Sequence, residues 1–364
     1  MDGFSIDESA LQLSDLELAV LLCLAAHEHC LLETTKDSIH DVAKELALIS
    51  SNTFGLSYAI LDCSPSTTLA DFSSEILAAD GLGSYHGPAG PMKIKRSPSY
   101  STQKSRDHVG RTDDGHSLDS RKVVNVIIAK HFNRVNEDIQ IRILELLRSK
   151  QLTTRDAVLT APTSFLFLPL VTRKPEQFQP PLNKHLNDHL FISHFHDSSM
   201  GYAHLEDVDD WLSDGQESIS SVVRKPDTRM PKKGTQIDEQ ALRIFGETSK
   251  TVTANADVVR YQQDIISFLR LSRAVAGGIS PKTNIHFSKL AKLLAQLHGI
   301  DYLTPSIIAL ASKKVFCHRI ILARPEDDRS LQYGSDLKAV AQVLSHLTPE
   351  MVLDDVLSQV DAPV

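Results

Sequence analysis

Two apolar runs constrain this chain most: Val123 to Ala129, interrupted only by Asn125, and Phe165 to Val171, which contains Pro169. A strand with one solvated face alternates apolar and polar residues, whereas a continuous run fits a strand buried on both faces. Strands of that kind need helical crossovers between them, so the pattern implies an α/β fold with a mostly parallel sheet flanked by helices. The neighbouring segments agree. Ser14-Asp15-Leu16-Glu17 is a capping box opening a helix that carries Leu16, Val20, Leu24 and Ala25 at helical spacing. Cys30-Leu31-Leu32 reads as a strand, and Ser38 and Asp41 precede a helix with Val42, Leu46 and Ile49. Tyr58 to Leu61 and Leu190 to Ile192 read as further strands, and Glu137 to Arg148 as a helix.

Composition divides the 364 residues into parts. Residues 1–204 form the α/β core, interrupted at 80–121 by a Ser-, Lys-, Arg-, Asp- and Gly-rich insertion that is expected to be disordered. An acidic-then-basic linker is expected at 205–252, a helical domain at 253–345, and a tail at 346–364. The helical domain is read from apolar periodicity over Val258 to Ala276, Asn284 to Leu297 and Pro305 to Val315.

Charge and cysteine usage narrow the setting. With 38 Lys plus Arg against 46 Asp plus Glu, the net charge is −8, which argues against general affinity for phosphate backbones. The four cysteines form no CxxC pair, so a reducing compartment is expected, cytoplasmic or nuclear. Leu18 to Ala26 is too short to span a bilayer, and no membrane association is expected.

Several segments resemble one family. Ile127-Ile128-Ala129-Lys130-His131-Phe132-Asn133-Arg134, continuing through Gln140, Leu144 to Leu147 and Gln151-Leu152-Thr153, looks like the Walker B region of MoxR and magnesium-chelatase-type AAA+ ATPases. Ala276-Gly277-Gly278-Ile279-Ser280-Pro281-Lys282 resembles that family's Gly-Ala-Ser-Pro-Arg. Gly299-Ile300-Asp301-Tyr302-Leu303-Thr304-Pro305, with Val315 and His318-Arg319-Ile320, resembles its lid signature. The resemblance implies a P-loop-type AAA+ core with a C-terminal all-α lid, and assembly into homo- or hetero-oligomers.

Matched residue by residue, the chain departs from the family's nucleotide chemistry. A triphosphate is held on backbone amides of a glycine-rich loop at a helix N-terminus, yet Glu33 to Ala43 contains no glycine. The positions of the phosphate lysine and its Mg2+-binding threonine hold Ile39 and His40. The acidic pair of Walker B, which must carry Mg2+ and activate water, is Lys130 and His131. Sensor 1 falls at Thr172 and sensor 2 at Lys282. The arginine-finger stretch reads Leu186-Asn187-Asp188-His189, with no arginine between Arg173 and Arg224.

Other chemistry has less support. His185 and His189 at helical spacing, with His194 and His196 at strand spacing, form a candidate Zn2+ set, although exposed family positions explain them as well. His286, His298 and His318 read as packing or capping residues. There is no Gly-x-Ser-x-Gly elbow and no HExxH. The expectation is therefore a catalytically degenerate AAA+ module serving as a scaffold or regulatory protein-interaction subunit, with no cofactor unless the altered site still takes ATP and Mg2+. Protein partners are expected, including an active AAA+ subunit. The alternatives are an ATP-dependent magnesium-chelatase-type subunit and, more weakly, a nucleic-acid-associated adaptor using the basic stretch Lys93 to Arg106.

Overall fold

The fold is described from a computed structural model, which covers residues 13–79, 121–153, 158–173, 182–206 and 236–363. The core runs α1 (Asp15–Ala26), β1 (His29–Thr34), α2 (Ile39–Leu48), β2 (Tyr58–Asp62), α3 (Leu69–Glu75), β3 (Leu77–Ala79), β4 (Arg121–Val123), β5 (Val126–Lys130) and α4 (Glu137–Ser149). It continues with β6 (Gln151–Thr153), β7 (Val158–Thr160), β8 (Leu166–Thr172), α5 (Lys184–His189) and β9 (Leu190–His196). The lid comprises α6 (Glu239–Thr251), α7 (Ala256–Leu271), β10 (Val275–Gly277), α8 (Pro281–Leu297), α9 (Pro305–Phe316), β11 (Ile321–Leu322), α10 (Leu337–Leu344) and α11 (Pro349–Gln359).

Five parallel strands form the central sheet in the order β2-β5-β8-β1-β9. Both faces are buried, as the apolar runs require. Val126 and Ile128 of β5 join the cluster on one face, and Ile127 and Ala129 join the cluster on the other. Pro169 lacks a ladder donor, and the β1–β8 pairing begins one residue beyond it, at Leu32 opposite Leu170.

Helix α1 explains how core and lid become one body. Its capping box is formed, with the Ser14 hydroxyl accepting from the Glu17 amide at 3.3 Å and the Glu17 carboxylate accepting from the Ser14 amide at 2.8 Å. From Ala19 to Ala26 every residue is buried, the pattern of a helix covered on all sides. It packs on β1 and β9 on one side and on α6 and α8 on the other. Opposite α1, the sheet is covered by α3 and α4.

The expected boundaries need three corrections. Residues 239–251, within the expected linker, form α6, whose Leu242 and Phe245 are buried in the shared core. The expected tail contains α11, which a Thr348 cap starts and which packs on α7 and α9 through Val352, Leu353 and Val356. The helix expected to reach Ala276 ends at Leu271, and Val275 to Gly277 pairs with β11 instead. The expected disordered insertion lies outside the described residues except for Arg121, which belongs to β4. Among the described residues no helix is long and apolar enough to cross a membrane.

Candidate functional site at the carboxyl end of the sheet

Parallel strands end together, so Thr34, Asp62, Lys130, Thr172 and His196 share one edge of the sheet. In open α/β sheets this is the edge that receives ligands. Four residues, Thr35 to Ser38, connect β1 to α2, and the Thr35 and Ser38 hydroxyls meet at 2.8 Å across that turn. Ser38 is in the right-handed region, at φ −87° and ψ −9°. Ile39, at the phosphate-lysine position, is 1% exposed and packs into the core. Its side chain serves the fold and is turned away from any ligand.

The Walker B lysine has its own partners. Lys130 Nζ lies 3.0 Å from Asp62 Oδ2 on the adjacent strand β2 and 3.1 Å from His40 Nδ1 at the start of α2. An ammonium donates and has no acceptor, so the facing His40 nitrogen is the accepting one. The ammonium thus ties β5, β2 and α2 together. His131 follows in the left-handed region at φ 53°, with its ring 6.4 Å from that of His40. Burial, then the nearby Arg134, lowers its pKa. Thr172 sits opposite Thr34 in the β1–β8 register.

Sequence reasoning missed two members of this edge. Asp62 carries no motif, and only the β2–β5 register sets it beside Lys130. Arg173 donates through Nη2 to Glu350 of α11 at 2.5 Å, approaches Glu33 at 3.9 Å, and stacks over Phe195 with 5.6 Å to the ring centroid. The lid's last helix is thereby pinned beside β1. Burial of Glu33 raises its pKa, with Arg173 opposing.

Lys282 is not at this edge, which corrects the sensor 2 expectation. It begins α8 at the amino end of the sheet, where its ammonium donates to His189 Nδ1 at 2.5 Å. Burial, then the Lys282 charge, depresses the His189 pKa to about 4, so the ring accepts as neutral imidazole. Asp188, in the arginine-finger stretch, accepts from Ser280 Oγ at 2.6 Å and from Thr283 Oγ1 at 3.3 Å at the start of α8. Arg319 is fully buried and donates to the carbonyls of Val315 at 2.6 Å and Phe191 at 3.3 Å, to Leu190, and to His286 Nδ1 at 2.7 Å. His318 Nε2 bonds the Leu190 carbonyl at 3.1 Å. His286 and His318 are thus packing residues at the seam between core and lid, and His298 caps the end of α8.

The candidate zinc set is divided. His185 and His189 lie on α5 before β9 begins, whereas His194 and His196 lie toward its far end. His194 accepts from Lys314 of α9 at 3.3 Å, and burial, then Lys314, lowers its pKa to about 4. Among the described residues no group of three His, Cys, Asp or Glu side chains is close enough to hold a metal ion.

The comparisons with known proteins follow this geometry. The AAA lid domain model matches residues 268–342. A crystal structure of a Cytophaga hutchinsonii protein provisionally described as an ATPase superposes with a TM-score of 0.60 at 16% identity, covering 99% of this chain and 94% of that one. The fold is AAA+, with an AAA lid. At that identity the likeness speaks for the AAA+ fold alone. The chain is also 31% identical over 116 residues to "Maintenance of telomere capping protein 2" of Lachancea thermotolerans. That match spans 30% of this chain and 41% of the relative.

Proposed function

We propose that this AAA+ module has lost nucleotide hydrolysis and serves as a scaffold or regulatory subunit for protein partners. The observation that carries this reading is Lys130, matched by motif to a Mg2+-binding carboxylate, whose ammonium is held by Asp62 and His40. A resident positive charge repels Mg2+. Ile39 supports the same reading, because the position that should present a phosphate-binding lysine is sealed in the core. The likeness to a telomere-capping maintenance protein supports a role in that process, exercised through protein contacts, in the nuclear member of the two reducing compartments the cysteines suggest. Assembly with an active AAA+ subunit is part of the proposal.

The test is calorimetric titration of the full chain with ATP and ADP, with and without Mg2+. An active AAA+ site binds in the micromolar range, about 8 kcal/mol. The expected result is no saturable heat up to millimolar nucleotide. Saturable Mg2+-dependent binding would overturn the proposal and return the chelatase-type ATPase reading.

A further inference from the structure

Between α5 of the core and the β10–β11 ribbon of the lid lies a solvent-open cleft of about 450 Å³. One wall carries Lys184 and His185, and the other is formed by the consecutive residues 275–280. That second wall includes the adjacent glycines Gly277 and Gly278. Among the described residues the ribbon has two strands, so β10, paired with β11 on one side, is an edge on the other, where the Val275 amide already donates to the Ser272 carbonyl at 3.1 Å. A sheet edge offers unpaired N–H and C=O groups to an incoming chain.

The two glycines of this wall differ in what they require. Gly278 is obligatory for the fold: its φ is +96°, and an added Cβ would sit 1.8 Å from the Arg319 carbonyl oxygen. Gly277 lies where the register of β10 against β11 shifts, at a bulge in the ribbon. It is not in the positive-φ region, and an added Cβ would meet only Ile321 Cδ1 at an ordinary 3.8 Å. A glycine at a bulge carries no side chain to shield its backbone, so another chain can approach it closely.

Charge indicates the chemistry of that backbone. Lys184 and Arg270 are exposed on the cleft, and Arg270 uses its Nε on the Ile279 carbonyl at 3.2 Å. The cleft's one acid, Asp188, is already taken by Ser280 and Thr283. On a chain of net charge −8, this is a local cationic groove. We propose that the groove binds an extended acidic peptide of a partner protein, which adds to β10 as a third strand and sets its carboxylates against Lys184 and Arg270. Main-chain bonds would supply affinity and the flanking cations the selectivity. The inference rests on the reading of the chain as a protein-interaction module and names the partner's chemistry.

Fluorescence anisotropy of the full chain with a labelled peptide of alternating Glu and Val tests it, with an alternating Lys and Val peptide as control. Saturable binding of the acidic peptide alone is expected. It should weaken by about tenfold or more, roughly 1.4 kcal/mol, in Gly277→Val, in the double variant Lys184→Glu/Arg270→Glu, and when alternate peptide amides are N-methylated. Unchanged thermal unfolding of the variants checks their folding. Equal binding of the N-methylated peptide would overturn strand addition, and single-stranded DNA binding with the same dependence on Lys184 and Arg270 would overturn the peptide assignment. Absence of binding in the full chain, restored by neutralising the chain's own Asp209, Asp210 and Asp214, would show a self-occupied groove and overturn a partner. A chain that binds the peptide and also binds ATP sinks only the non-catalytic reading, and one silent to both sinks only this inference.

Discussion

Two cation–histidine contacts at opposite ends of the sheet, Lys130 with His40 and Arg319 with His286, sit in opposite surroundings. At the carboxyl end Lys130 faces His40 and Asp62, both exposed to solvent. At the amino end Arg319 faces His286, and Lys150 approaches His29 at 3.4 Å, with both histidines buried. Water can replace a lost partner at the first end and cannot at the second. The buried Arg319, bonded to His286 and to the Leu190 and Phe191 carbonyls, therefore fastens lid helices to the core, whereas the exposed Lys130 contact joins elements of the core alone.

The sharpest way to break this contrast is Arg319→Met. The guanidinium satisfies four backbone carbonyls, those of Asp188, Leu190, Phe191 and Val315, and His286 in a buried site, and Met leaves those acceptors orphaned. A loss of about 3–5 kcal/mol is expected from denaturant unfolding. A loss below about 1 kcal/mol would mean that apolar packing alone holds the seam. Gly278→Ala attacks the same seam through the backbone, since its Cβ would overlap the Arg319 carbonyl at a positive φ. It should cost more than about 2 kcal/mol.

Acid gives a graded test. His189 and His194 are held neutral in the folded state, each with a pKa near 4 against an ordinary 6.5. Because the unfolded chain binds protons first, their contribution is complete above pH 6.5 and declines as pH falls toward 4. Buried Glu33 and Glu45, both raised by burial, act in the opposite direction. In Glu17, burial is outweighed by hydrogen bonds from His204, Ser14 and Thr53 that bring its pKa to about 2, so it loses its contribution only below 4.5. The double variant His189→Gln/His194→Gln isolates the effect. Its unfolding free energy should fall less between pH 6.5 and 4 than that of the unaltered chain, and parallel curves would show that the two rings are not held neutral.

Much of the architecture was legible because burial leaves a periodic trace. The apolar runs at Val126 and Leu166 gave the sheet, and the capping box at Ser14 gave α1. The motif match directs attention to Ile39 and Lys130, and the fold shows where they lie, one in the core and the other at the carboxyl end of β5. What stayed hidden depends on pairing between distant strands and helices. Asp62 becomes Lys130's partner only through the β2–β5 register, and Glu350 becomes Arg173's only through the docking of α11. Lys282 matches sensor 2 by motif, but a motif fixes a residue's position along the chain and not the side on which its domain packs, and the fold sets it beside His189 at the amino end of the sheet. Helix α6 was taken for linker because charge and proline just before it masked the apolar stripe of Leu242 and Phe245.

The smallest effect is expected at the site with the most altered chemistry. Lys130→Met removes an ion pair in which the lysine side chain is 13% exposed but its partner Asp62 is 58% exposed. Pairs with one solvated member contribute about 1 kcal/mol or less, so the melting temperature should move by only a few degrees. On the proposed non-catalytic reading the variant gains no nucleotide binding, because Glu33 to Ala43 still lacks glycine and Ile39 stays in the core. A loss above about 3 kcal/mol would place Lys130 in the same class as Arg319, a structural cation joining β5, β2 and α2. The contrast between the two ends would then be one of degree, and the lysine would have been fixed by stability as much as by any release from catalysis.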